Sequence, residues 1–340
     1  MLGKNIILIF GEIIYNKEVT FDVPILFLGY NRPEFTEKTL DRIIQINPTS
    51  LFISLDGPNP SKKNDTEKCK LVQDIIRKIS IPNGTLNVRI NKSNLGCKIS
   101  VKSAIDWFFE NVEYGIILED DCFPSFSFFP FCKDLLTKYY HDERISHISG
   151  SNFQHGICRG LTSFYFSKYT HIWGWATWRR AWKDYDISMK DFENSPLFNG
   201  KNISLPIDLM RDVYLGKINT WDIQWFYTNI MFSRLTIIPN VNLVRNLGFN
   251  NEATHTTGDI FSYIKNTPNG DLLFPLKYKN KLIVNSFADN LVAQKVFGNK
   301  SNKMFLKYYY RYLFIIERLI SKIKIKVFVP HLFNIVSEDK

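Results

Sequence analysis

The run Tyr114-Gly115-Ile116-Ile117-Leu118-Glu119-Asp120-Asp121-Cys122 constrains what this chain can fold into more than any other segment. A short apolar stretch ends abruptly in three adjacent carboxylates. Apolar side chains at successive positions suit a strand covered on both faces, as in the parallel sheets of α/β proteins. In open α/β sheets, ligands bind beyond the carboxyl ends of the strands. Three adjoining acids repel one another unless a cation offsets them, and clustered carboxylate oxygens suit Mg²⁺ or Mn²⁺. The same acids also suit a solvated loop with Asp or Glu capping the next helix. On its own, the run leaves both readings open.

The preceding residues supply three more strands. Residues 23–30 read as a buried strand closed by Asn31-Arg32-Pro33, and helical spacing then runs through Phe35, Leu40, Ile43 and Ile44 to Asn47-Pro48. Residues 51–55 end in Asp56-Gly57-Pro58 and lead to an amphipathic helix near 67–79. Residues 87–90 form the third strand, followed by a polar loop and a helix over 99–109. The order β-α-β-α-β-α-β predicts a doubly wound, Rossmann-like sheet with right-handed crossovers. Polar residues gather where each strand ends: Arg32, Asp56, Asn91 to Asn94, and the acidic triple. That places one site along one sheet edge. Beyond residue 140 the alternation fades, with strands expected at 145–149 and 163–166 before a Trp-rich run from His171 to Trp182.

Charge and cysteine usage exclude several classes. The formal charge is +10, but residues 295–340 hold ten Lys and Arg against three Asp and Glu, so the body is close to neutral. A nucleic-acid binder is therefore disfavoured. On a helical wheel Phe305, Tyr309, Tyr312, Leu313, Ile316 and Leu319 fall on one side, with Lys303, Lys307, Arg311, Arg318 and Lys322 on the other. Such a basic amphipathic helix, over residues 301–326, suits either an anionic membrane surface or docking on the domain with its basic face solvated. No stretch approaches 18 consecutive apolar residues, and residues 5–14 read as a strand, not a signal peptide. Five cysteines without a CxxC pair disfavour structural zinc and a disulfide framework, and fit a reducing cytosol. The expected organisation is a body over 1–284, with halves 1–140 and 141–284, and a tail over 285–340.

Pro24-Ile25-Leu26-Phe27-Leu28-Gly29-Tyr30-Asn31-Arg32, Ser54-Leu55-Asp56 and Glu119-Asp120-Asp121 are followed by Trp173-Gly174-Trp175-Ala176-Thr177-Trp178 and Thr220-Trp221-Asp222. In this order and spacing, over roughly residues 20–260, the chain resembles nucleotide-sugar glycosyltransferases of GT-A fold. The likeness is to the N-acetylglucosaminyltransferase I type and bacterial family 2-like relatives. The resemblance implies a Mn²⁺ or Mg²⁺ ion on Asp121, with Asp120 orienting the ribose or the metal's waters and Glu119 supporting from behind. It implies that Asp56 accepts a hydrogen bond from the nucleobase, uracil in the family, and that Asp222 is the general base. Where the family segment can carry two adjacent aspartates, this chain has Asp222-Ile223.

Each of these residues has a plainer alternative. Asp-Gly-Pro at Asp56 is good turn chemistry, and Asn31-Arg32-Pro33 starts a helix as readily as it meets a base or phosphate. Lys98 either adds charge near a helix N-terminus that faces phosphate or is an exposed lysine. Trp173 and Trp175 are expected to form a sugar platform, Trp178 and Trp182 to be core, and Asp222 could instead cap a surface helix. His255 lies in a polar loop, where it is either a ligand to metal or diphosphate or an ordinary loop histidine. The function implied is metal-dependent, inverting transfer from a nucleoside-diphosphate sugar, UDP-linked in the family, to a surface-glycan or glycolipid acceptor at the inner face of the cytoplasmic membrane. One rival is a sugar-nucleotide nucleotidyltransferase, which needs a Gly-rich phosphate loop that Gly29-Tyr30-Asn31-Arg32-Pro33 lacks. The other is a catalytically silent glycan-binding protein with the Trp run as its platform.

Overall fold

A computed structural model of the chain describes residues 6–9, 12–15, 19–195, 205–248, 259–278 and 281–298. An antiparallel hairpin, β1 (Ile6–Ile9) and β2 (Glu12–Tyr15), comes first. The expected alternation follows as β3 (Ile25–Gly29), α1 (Pro33–Gln45), β4 (Ser50–Leu55), α2 (Asp65–Arg77), β5 (Thr85–Ile90), α3 (Gly96–Asn111) and β6 (Tyr114–Glu119). Next are β7 (Cys122–Pro124), α4 (Phe128–Lys138), β8 (Ile145–Ser149), β9 (Phe164–Ser167), β10 (Trp175–Trp178) and α5 (Arg179–Trp182). The last elements are α6 (Ile207–Tyr214), α7 (Asp222–Met231), β11 (Leu235–Pro239), β12 (Val244–Asn246), α8 (Asp259–Lys265) and α9 (Ser286–Lys295).

Eight strands form one mixed sheet in the order β5-β4-β3-β6-β10-β8-β11-β9. The first four are parallel, β10 is antiparallel to both β6 and β8, and β11 runs parallel to β8 but antiparallel to β9. This is a mixed α/β architecture consistent with a Rossmann-like GT-A fold. From β3 the chain goes outward to β4 and β5, then returns to place β6 on the other side of β3. The crevice between the ends of β3 and β6 is therefore a topological switch point.

The period-2 alternation of the strands decides which helices cover which face. Ile25, Phe27, Leu51, Ile53, Ile116 and Leu118 point to α1, α2 and α4, where Leu40, Ile43, Val72, Ile76 and Leu135 meet them. Leu26, Leu28, Phe52 and Ile117 point the other way, to Val101, Ile105 and Phe108 of α3 and Trp225 of α7. Each such burial contributes roughly 1.5–3 kcal/mol, so a one-residue slip of β6 would forfeit several at once. Pro33 opens α1, where its fixed φ suits the first helical position, and Asn47 at φ 53 turns the chain out of it.

Strands from both expected halves share the sheet. Helix α9 lies beyond residue 284 but packs on the body, placing Val292 and Ala293 against Tyr169 and Met210 in one buried cluster. No helix among the described residues is long and apolar enough to cross a membrane. The amphipathic segment 301–326 and His255 lie outside the described residues.

Candidate active site at the sheet switch point

A cleft of about 850 Å³ opens at the carboxyl ends of β3, β4 and β6. Arg32, Asp56, Glu119, Asp120, Asp121 and Trp173 all line it, so residues spread over 140 positions meet at one edge. Asn246, the last residue of β12, and Gly248 just beyond it close the side next to Asp121.

The acidic triple is a charged structure in its own right. Arg32 reaches across from the start of α1 and donates from Nη2 to Asp120 and from Nη1 to Asp121 at 2.7 Å. The side chain of Asp120 is 2% exposed and that of Asp121 14%, so both charges are largely out of water. Thr39 Oγ1 donates to the Asp120 carbonyl at 2.8 Å and fixes the backbone behind the pair. One guanidinium does not neutralise three acids. Asp120 Oδ2 and Glu119 Oε1 are buried without a hydrogen-bond partner among the described residues. Burial pushes the Glu119 carboxyl up to about 8, helped by the charge of Asp121 and opposed by Arg32. Burial likewise lifts Asp120, against the pull of Arg32. Gly248 packs so closely that a Cβ there would sit 2.9 Å from Asp121 Oδ2 and 3.3 Å from Arg32 Nη1. The expectation that Arg32 meets a base or phosphate must accommodate this: its guanidinium is already committed to two carboxylates.

These orphaned oxygens and the surplus of negative charge fit a cation. No group of three His, Cys, Asp or Glu side chains among the described residues could hold one alone. Mg²⁺ is commonly held by one or two carboxylates together with substrate phosphates, and Asp121 with its neighbours matches that type of site, not an all-protein cage.

Asp56 does something other than expected. Its buried carboxylate accepts from the backbone N–H of Gly57 (2.9 Å), Leu95 (3.0 Å) and Gly96 (3.1 Å), and from the Nδ2 atoms of Asn91 (3.2 Å) and Asn94 (3.0 Å). Five donors exceed the roughly four lone-pair sites of a carboxylate, leaving no acceptor for a nucleobase. Asp56 is thus a positioning residue that shapes the loop before α3. Asp65, which the sequence reading missed, plays the same part on the facing wall. It accepts from Tyr30 Oη (2.6 Å), from Asn31 Nδ2 and from the Asn59 N–H (2.6 Å). Burial opposes its charge, yet these bonds and nearby Lys62 hold its carboxyl below the usual range. Its signal is faint in sequence because its partners come from other turns.

The tryptophan run divides. Trp173 lines the cleft, edge-on to Phe153 with centroids 5.3 Å apart. Trp175, expected beside it, is instead fully buried, stacked on His147 at 5.0 Å and on Trp221 at 5.8 Å. The physical reason is Gly174, at φ 62, which turns the chain so that β10 begins with Trp175 facing α7. Trp178 and Trp182 are core, as expected. Trp225 donates from Nε1 to His147 Nδ1 at 3.1 Å, so the His147 proton sits on Nε2 and meets the His171 carbonyl at 3.0 Å. Burial holds His147 down to about 3, and this neutral ring locks α7 to the sheet.

That lock sets Asp222, the first residue of α7. Its carboxylate accepts from Thr220 Oγ1 and from the first N–H groups of the helix. Burial raises its pKa against those bonds, and its charge in turn raises those of Glu119 and Cys97. Asp222 therefore stands within the field of the acid triple, from the α3 and α7 side of the sheet. Lys98 does not line the cleft, whereas Lys62 and Lys68 of the α2 region do.

No protein-family model and no curated protein matches this sequence. Among solved structures, the chain is similar to HddC from Yersinia pseudotuberculosis, at 12% identity over 48% of this chain and 80% of that one, with a TM-score of 0.29. It is also similar to mouse xyloside xylosyltransferase 1, at 10% identity over 62% and 81%, TM-score 0.30. A third likeness is to 4-diphosphocytidyl-2C-methyl-D-erythritol synthase from Anaerococcus prevotii, at 10% identity over 62% and 99%, TM-score 0.27. At such scores the likeness carries no functional information.

Proposed function

We propose that this chain is a metal-dependent, inverting glycosyltransferase that moves a sugar from a nucleoside-diphosphate donor, UDP-linked, to a surface-glycan or lipid-linked acceptor. The observation that carries the reading is the pairing of two unlike acidic centres near the switch point: the triple lines the cleft, and Asp222, outside that lining, lies close enough for its charge to raise the pKa of Glu119. One is a buried, under-neutralised triple, and the other is a single carboxylate with a raised pKa. Transfer from a sugar nucleotide needs both, one to hold the cation of a departing diphosphate and one to take the acceptor's proton.

In this reading Asp121 holds Mn²⁺ or Mg²⁺ and Asp120 backs it. The ion, when bound, supplies charge stabilisation to the diphosphate leaving group. Asp222 takes the proton of the acceptor hydroxyl, and its raised pKa matches that task better than an ordinary surface aspartate would. The loop ordered by Asp56 holds the nucleoside, and Trp173 offers its ring to the sugar or acceptor. Residues 301–326 attach the enzyme to the inner face of the cytoplasmic membrane. A nucleotidyltransferase is disfavoured because the turn after β3, Tyr30-Asn31-Arg32, holds no glycine where phosphate-cradling glycines would be needed. The test is transfer from labelled UDP-sugars to a membrane glycolipid extract, with the product anomer read by NMR. Asp121→Ala should abolish transfer and leave the circular dichroism spectrum unchanged. Transfer that persists undiminished in that variant, or in excess chelator, refutes the metal assignment.

A further inference from the structure

The chain covers one edge of its eight-stranded sheet and leaves the other open. At β9, Val284 bridges Phe166 and the Asn285 N–H donates to the Phe166 carbonyl at 2.8 Å, so the segment before α9 lies along that edge. At β5, the opposite edge, no described strand pairs with the outer side. The Thr85 N–H donates inward to the Thr49 carbonyl at 2.9 Å, and the Asn91 N–H to the Leu55 carbonyl at 3.0 Å. The register with β4 runs without a shift from Thr85 to Ile90, so the amides of Asn87 and Arg89 point inward as well. Leu86, Val88 and Ile90 therefore turn their backbone N–H and C=O groups outward.

The side chains of these three residues share one face. Leu86 packs on the core beneath α2, and Val88 and Ile90 follow it at period two, 43% and 42% exposed. Exposed Leu71 stands one turn before Ile75 of α2, which packs on the same core. Natural edges are blunted by Lys, Pro, bulges or inward charges, and β5 (Thr-Leu-Asn-Val-Arg-Ile) has none of these devices on this face. Its one charge, Arg89, lies on the other face, where it donates to the Ser103 carbonyl at 3.0 Å and to Ser103 Oγ.

We infer that β5 is a two-fold interface at which a second copy of this chain adds its own β5 antiparallel, continuing the sheet across both protomers. The edge is self-complementary in one register. With Val88 opposite the second copy's Val88, Leu86 meets its Ile90, and each outward-facing residue gains a partner with which it exchanges both N–H···O bonds. The apolar row becomes continuous, and Arg89 stands opposite Asn87. Sliding two residues one way sets Arg89 against Arg89 and Leu86 against Lys92, and the other way sets Ile90 against Gly84. A one-residue slip sets outward amides opposite inward ones. The match is to the strand's own sequence, which selects a second copy over an unrelated extended peptide. Because the same patch serves both protomers, the contact closes at the dimer.

Sedimentation velocity of the full-length protein from about 1 to 200 µM should show a monomer–dimer equilibrium. Val88→Lys brings two ammonium groups together on the two-fold axis and should weaken association at least tenfold, with the circular dichroism spectrum unchanged. Leu161→Lys, at an exposed position near β9, should leave association as it is. Hydrogen exchange tests the geometry without a variant. Raising the concentration across the transition should slow exchange at the Leu86, Val88 and Ile90 amides at least tenfold and change Asn87 and Arg89 less than twofold. A protein that stays monomeric over the whole range, a dimer that Val88→Lys leaves intact, assemblies that grow beyond the dimer, or equal protection of inward and outward amides overturns the inference.

Discussion

Replacing Arg32 by Met keeps the length of the side chain and removes the one cation that pairs with Asp120 and Asp121 among the described residues. Stranding a charge from a fully buried pair costs roughly 3–5 kcal/mol. Here the Arg32 side chain is 39% exposed while that of Asp120 is 2% exposed. Water screens the arginine side, so the expected loss is about 2 kcal/mol. For a chain of this size that is a fall of about 3 °C in melting temperature. The decisive assay is a double-mutant cycle with Asp120→Asn, read by thermal and urea unfolding. In the Asn background the variant no longer abandons a charge at position 120, so Arg32→Met should cost about 1 kcal/mol less there. Mn²⁺ should also restore more stability to Arg32→Met than it adds to the wild type, because it replaces the missing charge. Additive effects, with coupling below about 0.5 kcal/mol, would refute the idea that Arg32 serves as counter-ion to the triple.

Three further outcomes follow from the same geometry. Asp222→Asn should lower kcat by roughly 10²–10⁴-fold with little change in KM, as expected for loss of a general base. In the wild type, activity should fall as pH drops through the Asp222 pKa, which burial places above the ordinary aspartate value; an acid limb at or below about pH 4 would argue against this base. Asp56→Ala removes the acceptor for five donors and should cost roughly 3 kcal/mol, with new proteolysis at residues 91–96 and weaker nucleotide binding by calorimetry. Glu119 and Asp120 titrate higher in the folded state than unfolded, so the fold binds more protons than the unfolded chain in between. Their effect on stability is most favourable below pH 4 and declines as pH rises towards 8. Mn²⁺ should therefore raise the melting temperature more at pH 8 than at pH 5, and an equal rise at both would contradict it.

The first half of the fold was legible because β3, β4 and β6 are covered on both faces and the connecting helices are amphipathic. The acid triple and its partners at the strand ends followed from that pattern. What the sequence concealed were contacts made across long separations. Asp56 stands where the resemblance places it, but its role depends on donors from the loop before α3. Asp65 looks like an ordinary first-turn acid until Tyr30 and Asn31 are seen to reach it. Trp173 and Trp175 share parity along the chain and so invite the same assignment, yet the left-handed turn at Gly174 sends one into the cleft and the other into the core. β10 itself was hidden because an apolar, Trp-rich strand lying between two neighbours has no alternation to reveal it.

That hidden strand is what makes a two-centre site possible. Entering antiparallel beside β6, β10 sets Trp175 opposite Ile117, the residue two before Glu119. Trp175 then stacks on Trp221 and lies against Trp225, and the His147 bond fixes α7 from behind. The N-terminus of α7 is thereby carried to the edge where β6 ends. Two opposing effects meet on Asp222 there: burial disfavours its charge, while the helix's first N–H groups and Thr220 favour it. Burial wins by a margin that raises the pKa, as a proton acceptor requires. The triple is held differently, by a guanidinium close enough to bond two acids and a deficit of positive charge that a divalent ion would fill. Placing the base on a helix anchored by tryptophans, and not within the triple, keeps its proton chemistry apart from the charge that Asp121 must present to the cation.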